Sequence, residues 1–176
     1  MILFKNFDNK EITDDDFYNT LQKFNLRGRS VLLYSRLFSF GRLQGKDAAC
    51  RMIDILQTCI GDEGSLLIPC HTFSGYNDVV FDSEESKCKV GILGEIGRKL
   101  PQFSRTVHPI YSHILWGNYG DLLVKQERNT CFGKNSLYDI FSKTKKAYIL
   151  ILGATLNVVT NVHYYEQKFS AKSRYI

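Results

Sequence analysis

The chain has 176 residues, 44% of them hydrophobic and 23% charged, with a formal net charge of +5. This is one domain's length and an ordinary globular composition. The apolar runs are far too short to cross a bilayer, and the opening MILFKNFDNK lacks the pattern of a secretory signal. Lysines and arginines are spread along the chain without a basic stripe or an aromatic platform. That argues against nucleic acid and suits a small anionic cofactor. Five scattered cysteines, none in C-x-x-C spacing, indicate neither a zinc site nor a disulfide framework and fit a reducing cytoplasm.

In chain order, ITDDDFYNTLQKFNL begins as a helix. Thr13 and Asp16 make a capping-box start, and Phe17, Leu21 and Phe24 recur at helical spacing. SVLLYS (30–35) is a compact apolar run and reads as a buried strand. Residues 46–60 form an amphipathic helix closed by Gly61. SLLIP (65–69) is a second buried strand. GILGEIGRKL (91–100) is a short helix weakened by internal glycines, and SHILWG (112–117) a third strand. Short helices are expected at 121–127 and 136–143. AYILILGA (147–154) is the clearest strand, apolar on both faces, as in a parallel strand covered by helices. The alternation predicts a single α/β domain over 1–176 with a largely parallel central sheet.

Ligand sites in such sheets lie beyond the carboxyl ends of the strands. SRLFSFG, CHTFSG and TNVHYYE each follow a strand and are expected to converge on one cleft. Thr160 as an N-cap would put His163 in the first turn of a helix and Glu166 one turn later on the same face. A carboxylate there fixes the imidazole tautomer and prepares it for general-base work. A structural helix start is the plainer reading of that spacing. His108 precedes Pro109 and is expected in an extended turn, its ring bonded to backbone or available for binding. Cys70 and His71 are adjacent and point opposite ways on an extended segment. A cysteine hydrolase would therefore have to pair Cys70 with His163. Neither G-x-x-x-x-G-K-[ST] nor G-x-G-x-x-G occurs.

Five segments in order, VLLYSRLFSFG, GDEGSLLIPCHTFS, FDSEESKCKVGILGEIGRKLPQFSRTVHPIYSHILWG, FGKNSLYDIF and AYILILGATLNVVTNVHYYE, resemble the motifs of the aminoglycoside 3-N-acetyltransferase family. The resemblance runs from about residue 30 to 166. It implies an α/β/α sandwich and acetyl-CoA-dependent transfer to the amino group of a small-molecule acceptor, without a metal. It also implies that His163 and Glu166 are catalytic, and that Ser35, Leu37, Ser39, Phe40, Gly41, Thr72, Phe73 and Ser74 approach acetyl-CoA. Arg105, His108 and Ser112 fall on its R-S-x-H-P segment and are expected to bind substrate, whereas Glu95 and Arg98 read as an intrahelical ion pair. Backbone amides after the first strand are candidates for stabilising the oxyanion.

The departures are Tyr34–Ser35–Arg36 in place of H-S-S, Thr106 in place of serine, and a missing proline near Ser86 to Cys88. The chain also stops ten residues after Glu166, short of the family's usual length. It leaves open a neutral or nucleotide-linked amino sugar as acceptor, a cationic acceptor met by Asp78, Asp82, Glu84 and Glu85, a non-catalytic relative, and self-association as a homo-oligomer through uncovered sheet edges.

Overall fold

The computed structural model describes residues 1–76, 79–119, 126 and 129–172. The helix expected at 121–127 lies outside them apart from Gln126.

The chain opens with a small antiparallel sheet that the sequence reading missed. It comprises β1 (Ile2–Lys5), β2 (Glu11–Thr13) and β4 (Arg42–Leu43), in the order β2-β1-β4. Gly41 makes this sheet possible: a Cβ there would fall 2.2 Å from the Lys5 carbonyl oxygen, and its φ of 104° disfavours other residues. Between β2 and β4 runs α1 (Asp14–Gln22), with the expected capping box: Asp16 N–H donates to Thr13 Oγ1 at 3.2 Å and Thr13 N–H to Asp16 Oδ2 at 2.9 Å. The helix ends before Phe24, which is exposed.

The main sheet has the order β6-β7-β5-β3-β8, built from β3 (Ser30–Ser35), β5 (Ser65–Pro69), β6 (Ser104–Arg105), β7 (His113–Gly117) and β8 (Ala147–Leu152). β3 pairs in parallel with both β5 and β8, whereas β7 runs antiparallel to β5 and to β6. The sheet is therefore mixed rather than largely parallel. Apolar runs such as SHILWG carry no information about direction. β8 is also not covered on both faces: it lies at the sheet edge with Tyr148 and Ile149 each 39% exposed.

Period-two alternation along β3 divides the core. Val31 and Leu33 join a cluster with α2 (Gly45–Ile60), while Leu32 and Tyr34 face α4 (Leu137–Lys143) and α5 (Asn161–Lys168). This gives helices on both faces of the sheet. α2 carries the chain from β3 to β5, whereas β8 lies on the other side of β3. The C-terminal ends of β3 and β8 thus flank a point where connections diverge, the usual place for a ligand crevice. α3 (Ile92–Gly97) lies close over β5 because of a glycine: a Cβ on Gly94 would fall 2.4 Å from the Pro69 carbonyl oxygen.

Candidate active site

A cavity of about 430 Å³ opens where β3 and β5 end, closed in by the segment that follows β8. β3 and the turn after it contribute Tyr34, Ser35 and Arg36; the segment after β5 contributes His71 and Phe73; the start of α5 contributes Thr160 and His163. Val90, Gly91 and Gly94 also line it. The three polar clusters that follow the parallel strands therefore converge, as expected.

His163 Nδ1 lies 2.9 Å from Glu166 Oε2, one helical turn along α5. A carboxylate only accepts, so the contact favours the tautomer with the proton on Nδ1 and makes Nε2 the basic nitrogen. The imidazole is 54% exposed, packed edge-on against Phe132 at 5.9 Å. Thr160 does not cap this helix through its side chain, and its backbone is already helical. A 3₁₀ turn at Leu156–Val158 leads into α5, and the Val159 and Thr160 carbonyls accept from the Val162 and His163 N–H groups. α5 is held from below instead: the buried Tyr164 hydroxyl donates to Asp139 Oδ1 of α4 at 2.8 Å, and Lys168 Nζ donates to the same hydroxyl.

Tyr34 stands where the resemblance leads one to expect histidine. Its hydroxyl is buried against the start of α5 without a well-directed hydrogen bond, and burial raises its pKa. His71 lines the cavity with its ring 5.1 Å from that of His113 and 4.9 Å from Tyr111. Burial holds His71 well below its ordinary pKa and His113 down to about 3, so both are neutral near pH 7. Among the described residues, no group of three or more histidine, cysteine, aspartate or glutamate side chains could hold a metal ion.

The remaining expected site residues separate clearly. Of those assigned to acetyl-CoA, Ser35 and Phe73 line the cavity. Leu37 is buried in the core, and Phe40 packs on Phe4 at 5.5 Å. Gly41 admits β1, and Ser39 is exposed in the turn. Thr72 and Ser74 are buried: Thr72 Oγ1 donates to the Pro109 carbonyl at 2.7 Å, and Ser74 N–H donates to the same carbonyl. The amides proposed for an oxyanion are largely committed, since Arg36 N–H donates to Leu152 O, Ser39 N–H to Arg36 O and Gly41 N–H to Phe38 O.

Arg105, His108 and Ser112 are not among the residues lining the cavity. Arg105 donates to the carbonyls of Ser83, Ser86 and Cys70 and to Ser112 Oγ. Ser112 Oγ donates to the Cys70 carbonyl at 2.5 Å. His108 Nδ1 accepts from the Ile110 and Tyr111 N–H groups, each at 3.1 Å, and its ring also hydrogen-bonds the Thr130 backbone. These three side chains tie loops together outside the lining of this cavity. Glu95 and Arg98 form the expected ion pair, bidentate at 2.8 Å. Asp82 accepts from the Glu84 and Glu85 N–H groups in a local turn away from the cavity; Asp78 lies outside the described residues. Cys70 Sγ faces the Gly94 carbonyl in the core, which removes it as a partner for His163. Sequence reasoning missed His71, Arg36 and the lining at 90–94, although His71 and Arg36 sit inside the flagged segments.

Residues 32–176 match the aminoglycoside 3-N-acetyltransferase family. The SPbeta prophage-derived aminoglycoside N(3')-acetyltransferase-like protein YokD of Bacillus subtilis (strain 168) is 23% identical over 167 residues, covering 81% of this chain and 60% of that protein. The chain thus spans less than two thirds of that relative's length. The crystal structure of YokD superposes with a TM-score of 0.76, covering 88% of this chain and 70% of the other at 23% identity. Similar folds are seen in AAC-IIIb binary with CoASH (TM-score 0.75, 20% identity, 89% and 65% covered) and in AAC-VIa bound to sisomicin (0.77, 23%, 88% and 64%). With four-fifths of its length matched, the chain belongs to the aminoglycoside 3-N-acetyltransferase family.

Proposed function

We propose that this chain carries the centre of an acetyl-CoA-dependent N-acetyltransferase acting on an amino group of an aminoglycoside or related amino sugar. The observation that carries this reading is the 2.9 Å His163–Glu166 contact at a cleft lined by the ends of the parallel strands β3 and β5 and by the segment that follows β8. Family membership and the CoA- and sisomicin-bound relatives support it.

The cleft suits a thioester arm. Its walls include Leu33, Ile68, Pro69 and Val158, Ser35 and Phe73 line it, and Arg36 offers a cation to phosphate. An ammonium group must lose a proton before it can attack. In this reading His163 Nε2 takes that proton while Glu166 holds the ring and stabilises the imidazolium. The amine nitrogen forms a bond to the thioester carbonyl carbon. The nitrogen of the tetrahedral intermediate gives up its second proton to water, the intermediate collapses with loss of the C–S bond, and the imidazolium returns its proton to the departing thiolate.

Arg36 favours a second reading of the acceptor. A cation beside the cleft disfavours a polycationic aminoglycoside and would pair with a phosphorylated or nucleotide-linked amino sugar. The test of the common core is calorimetric titration of CoA into the folded chain. Saturable binding that weakens with Phe73→Ala and Arg36→Ala is expected; no saturable binding by folded protein would remove the proposal.

A further inference from the structure

His71 is the buried titratable group of the cleft that the proposed chemistry leaves idle. Its side chain is 3% exposed and lines the cavity. Nε2 is sealed inside without a hydrogen bond. Nδ1 is not among the sealed atoms and has no hydrogen-bond partner among the described residues, so it is the nitrogen open to a ligand in the cavity. Three rings hold the imidazole edge-on, with centroids at 4.9 Å for Tyr111, 5.1 Å for His113 and 6.0 Å for Phe73. The backbone is pinned as well: Lys89 N–H donates to the His71 carbonyl at 2.8 Å, and Thr72 N–H donates to the Ile110 carbonyl at 3.2 Å. Phe73 has a φ of 56°, in the left-handed region that bulky residues rarely occupy. Strain of that kind persists where the surroundings over-determine a site.

We propose that His71, with its proton on Nδ1, donates the hydrogen bond that stabilises the oxyanion of acetyl transfer. The inference rests on the acetyl-transfer reading and supplies a donor which that reading lacks. The Arg36, Ser39 and Gly41 amides already donate to carbonyls and are poor candidates. An N–H at the sealed Nε2 would be an orphaned donor, whereas one at Nδ1 can be met by a ligand. Burial, with His113 and His108 nearby, keeps the ring neutral. A neutral imidazole donates without surrendering its proton. As the amine nitrogen bonds to the thioester carbonyl carbon, the C=O π pair moves onto oxygen and Nδ1–H donates to that oxygen. When the C–S bond breaks, the pair returns to the C=O bond, and the proton has stayed on His71 throughout. A donor fixed in a desolvated wall counts for more than one in water, because it needs no reorganisation.

The test is isotope-edited infrared spectroscopy of acetyl-CoA, labelled at the thioester carbonyl carbon and bound to the full chain without acceptor. The wild type should hold the carbonyl stretch at or below its value in water. His71→Phe keeps the ring packing and removes an orphaned buried nitrogen, so it should melt at or above the wild-type temperature. Its bound carbonyl stretch should rise toward the value in an apolar solvent. With an acceptor present, this variant should lose roughly 10²–10³-fold in kcat, the usual loss for one oxyanion donor, with little change in acetyl-CoA affinity. His71→Gln, which restores an N–H, should recover part of that loss. A wild-type stretch already at the apolar-solvent value needs no variant to fold and would overturn the proposal. So would an unshifted stretch in folded His71→Phe, which would give the oxyanion to another donor. Acetyl-CoA that fails to bind at all would instead sink the acetyl-transfer reading, and the proposal with it, so the two failures read out differently.

Discussion

Two polar clusters of this molecule match motifs of one family, and they sit in contrasting surroundings. His163 and Glu166 sit on the exposed side of α5 at the cleft. Arg105, His108 and Ser112 are set among loops, where backbone groups occupy much of their hydrogen-bonding capacity. The difference shows that a polar side chain's role follows from its partners. A guanidinium that meets three carbonyls ties the fold together; an imidazole held at one nitrogen by a carboxylate and set at a cavity has the geometry that the proposed proton transfer requires.

The largest effect that sharpens this contrast falls on turnover. His163→Ala is expected to lower kcat by roughly 10²–10⁴-fold, with a melting temperature close to that of the wild type because the side chain is exposed. Glu166→Gln should lower it less. Steady-state kinetics and thermal melts on the same preparations check both.

Arg105→Ala should behave in the reverse way. Removing a part-buried cation that donates to three carbonyls takes away a donor from each, although the Cys70 carbonyl keeps Ser112 Oγ, and should cost about 1–3 kcal/mol of stability. Urea denaturation measures the loss, while CoA affinity of the remaining folded protein should change little. A stable Arg105→Ala protein with impaired acceptor KM would return Arg105 to the substrate site.

The buried histidines give a pH signature to the scaffold. His113 is held at about 3 by burial, below its ordinary value of 6.5, and His71 is also depressed. The unfolded chain therefore binds protons that the folded chain refuses. Their contribution to stability is complete above pH 6.5 and declines as the pH falls from there toward 3, by at most about 1.4 kcal/mol per pH unit for each histidine. Glu95, lowered to about 2 chiefly by its Arg98 bond, adds a second loss between about 4.5 and 2. Denaturant midpoints at pH 7 and pH 5 should differ, and His113→Gln should narrow the difference.

The smallest effect tests the least site-related feature. Thr13→Ala removes the α1 cap and should cost about 1 kcal/mol without altering CoA binding. Chemical denaturation and calorimetry together check this.

Much of the scaffold was legible because its signals are local. The Thr13–Asp16 box, the helix ending at Gly61, and β3 and β5 follow from residues adjacent in sequence or one turn apart. The small N-terminal sheet was not, since β2 and β4 have three and two residues and exist only by pairing with β1. The antiparallel run of β7 was hidden because strand periodicity has no direction. The site was legible in part. His163 and Glu166 are three residues apart, so their contact can be read directly. The carbonyl partners of Arg105 lie 19 to 35 positions away, and only the folded chain brings them to its guanidinium.

The central claim is that the His163–Glu166 pair moves the proton in acetyl transfer. Its most direct test is acceptor-dependent CoA thiol release, measured with acetyl-CoA and a panel of aminoglycosides and phosphorylated amino sugars, for wild type and His163→Ala in parallel. The account predicts saturable release by the wild type that His163→Ala loses while remaining folded and able to bind CoA. Release at the wild-type rate by folded His163→Ala would contradict it.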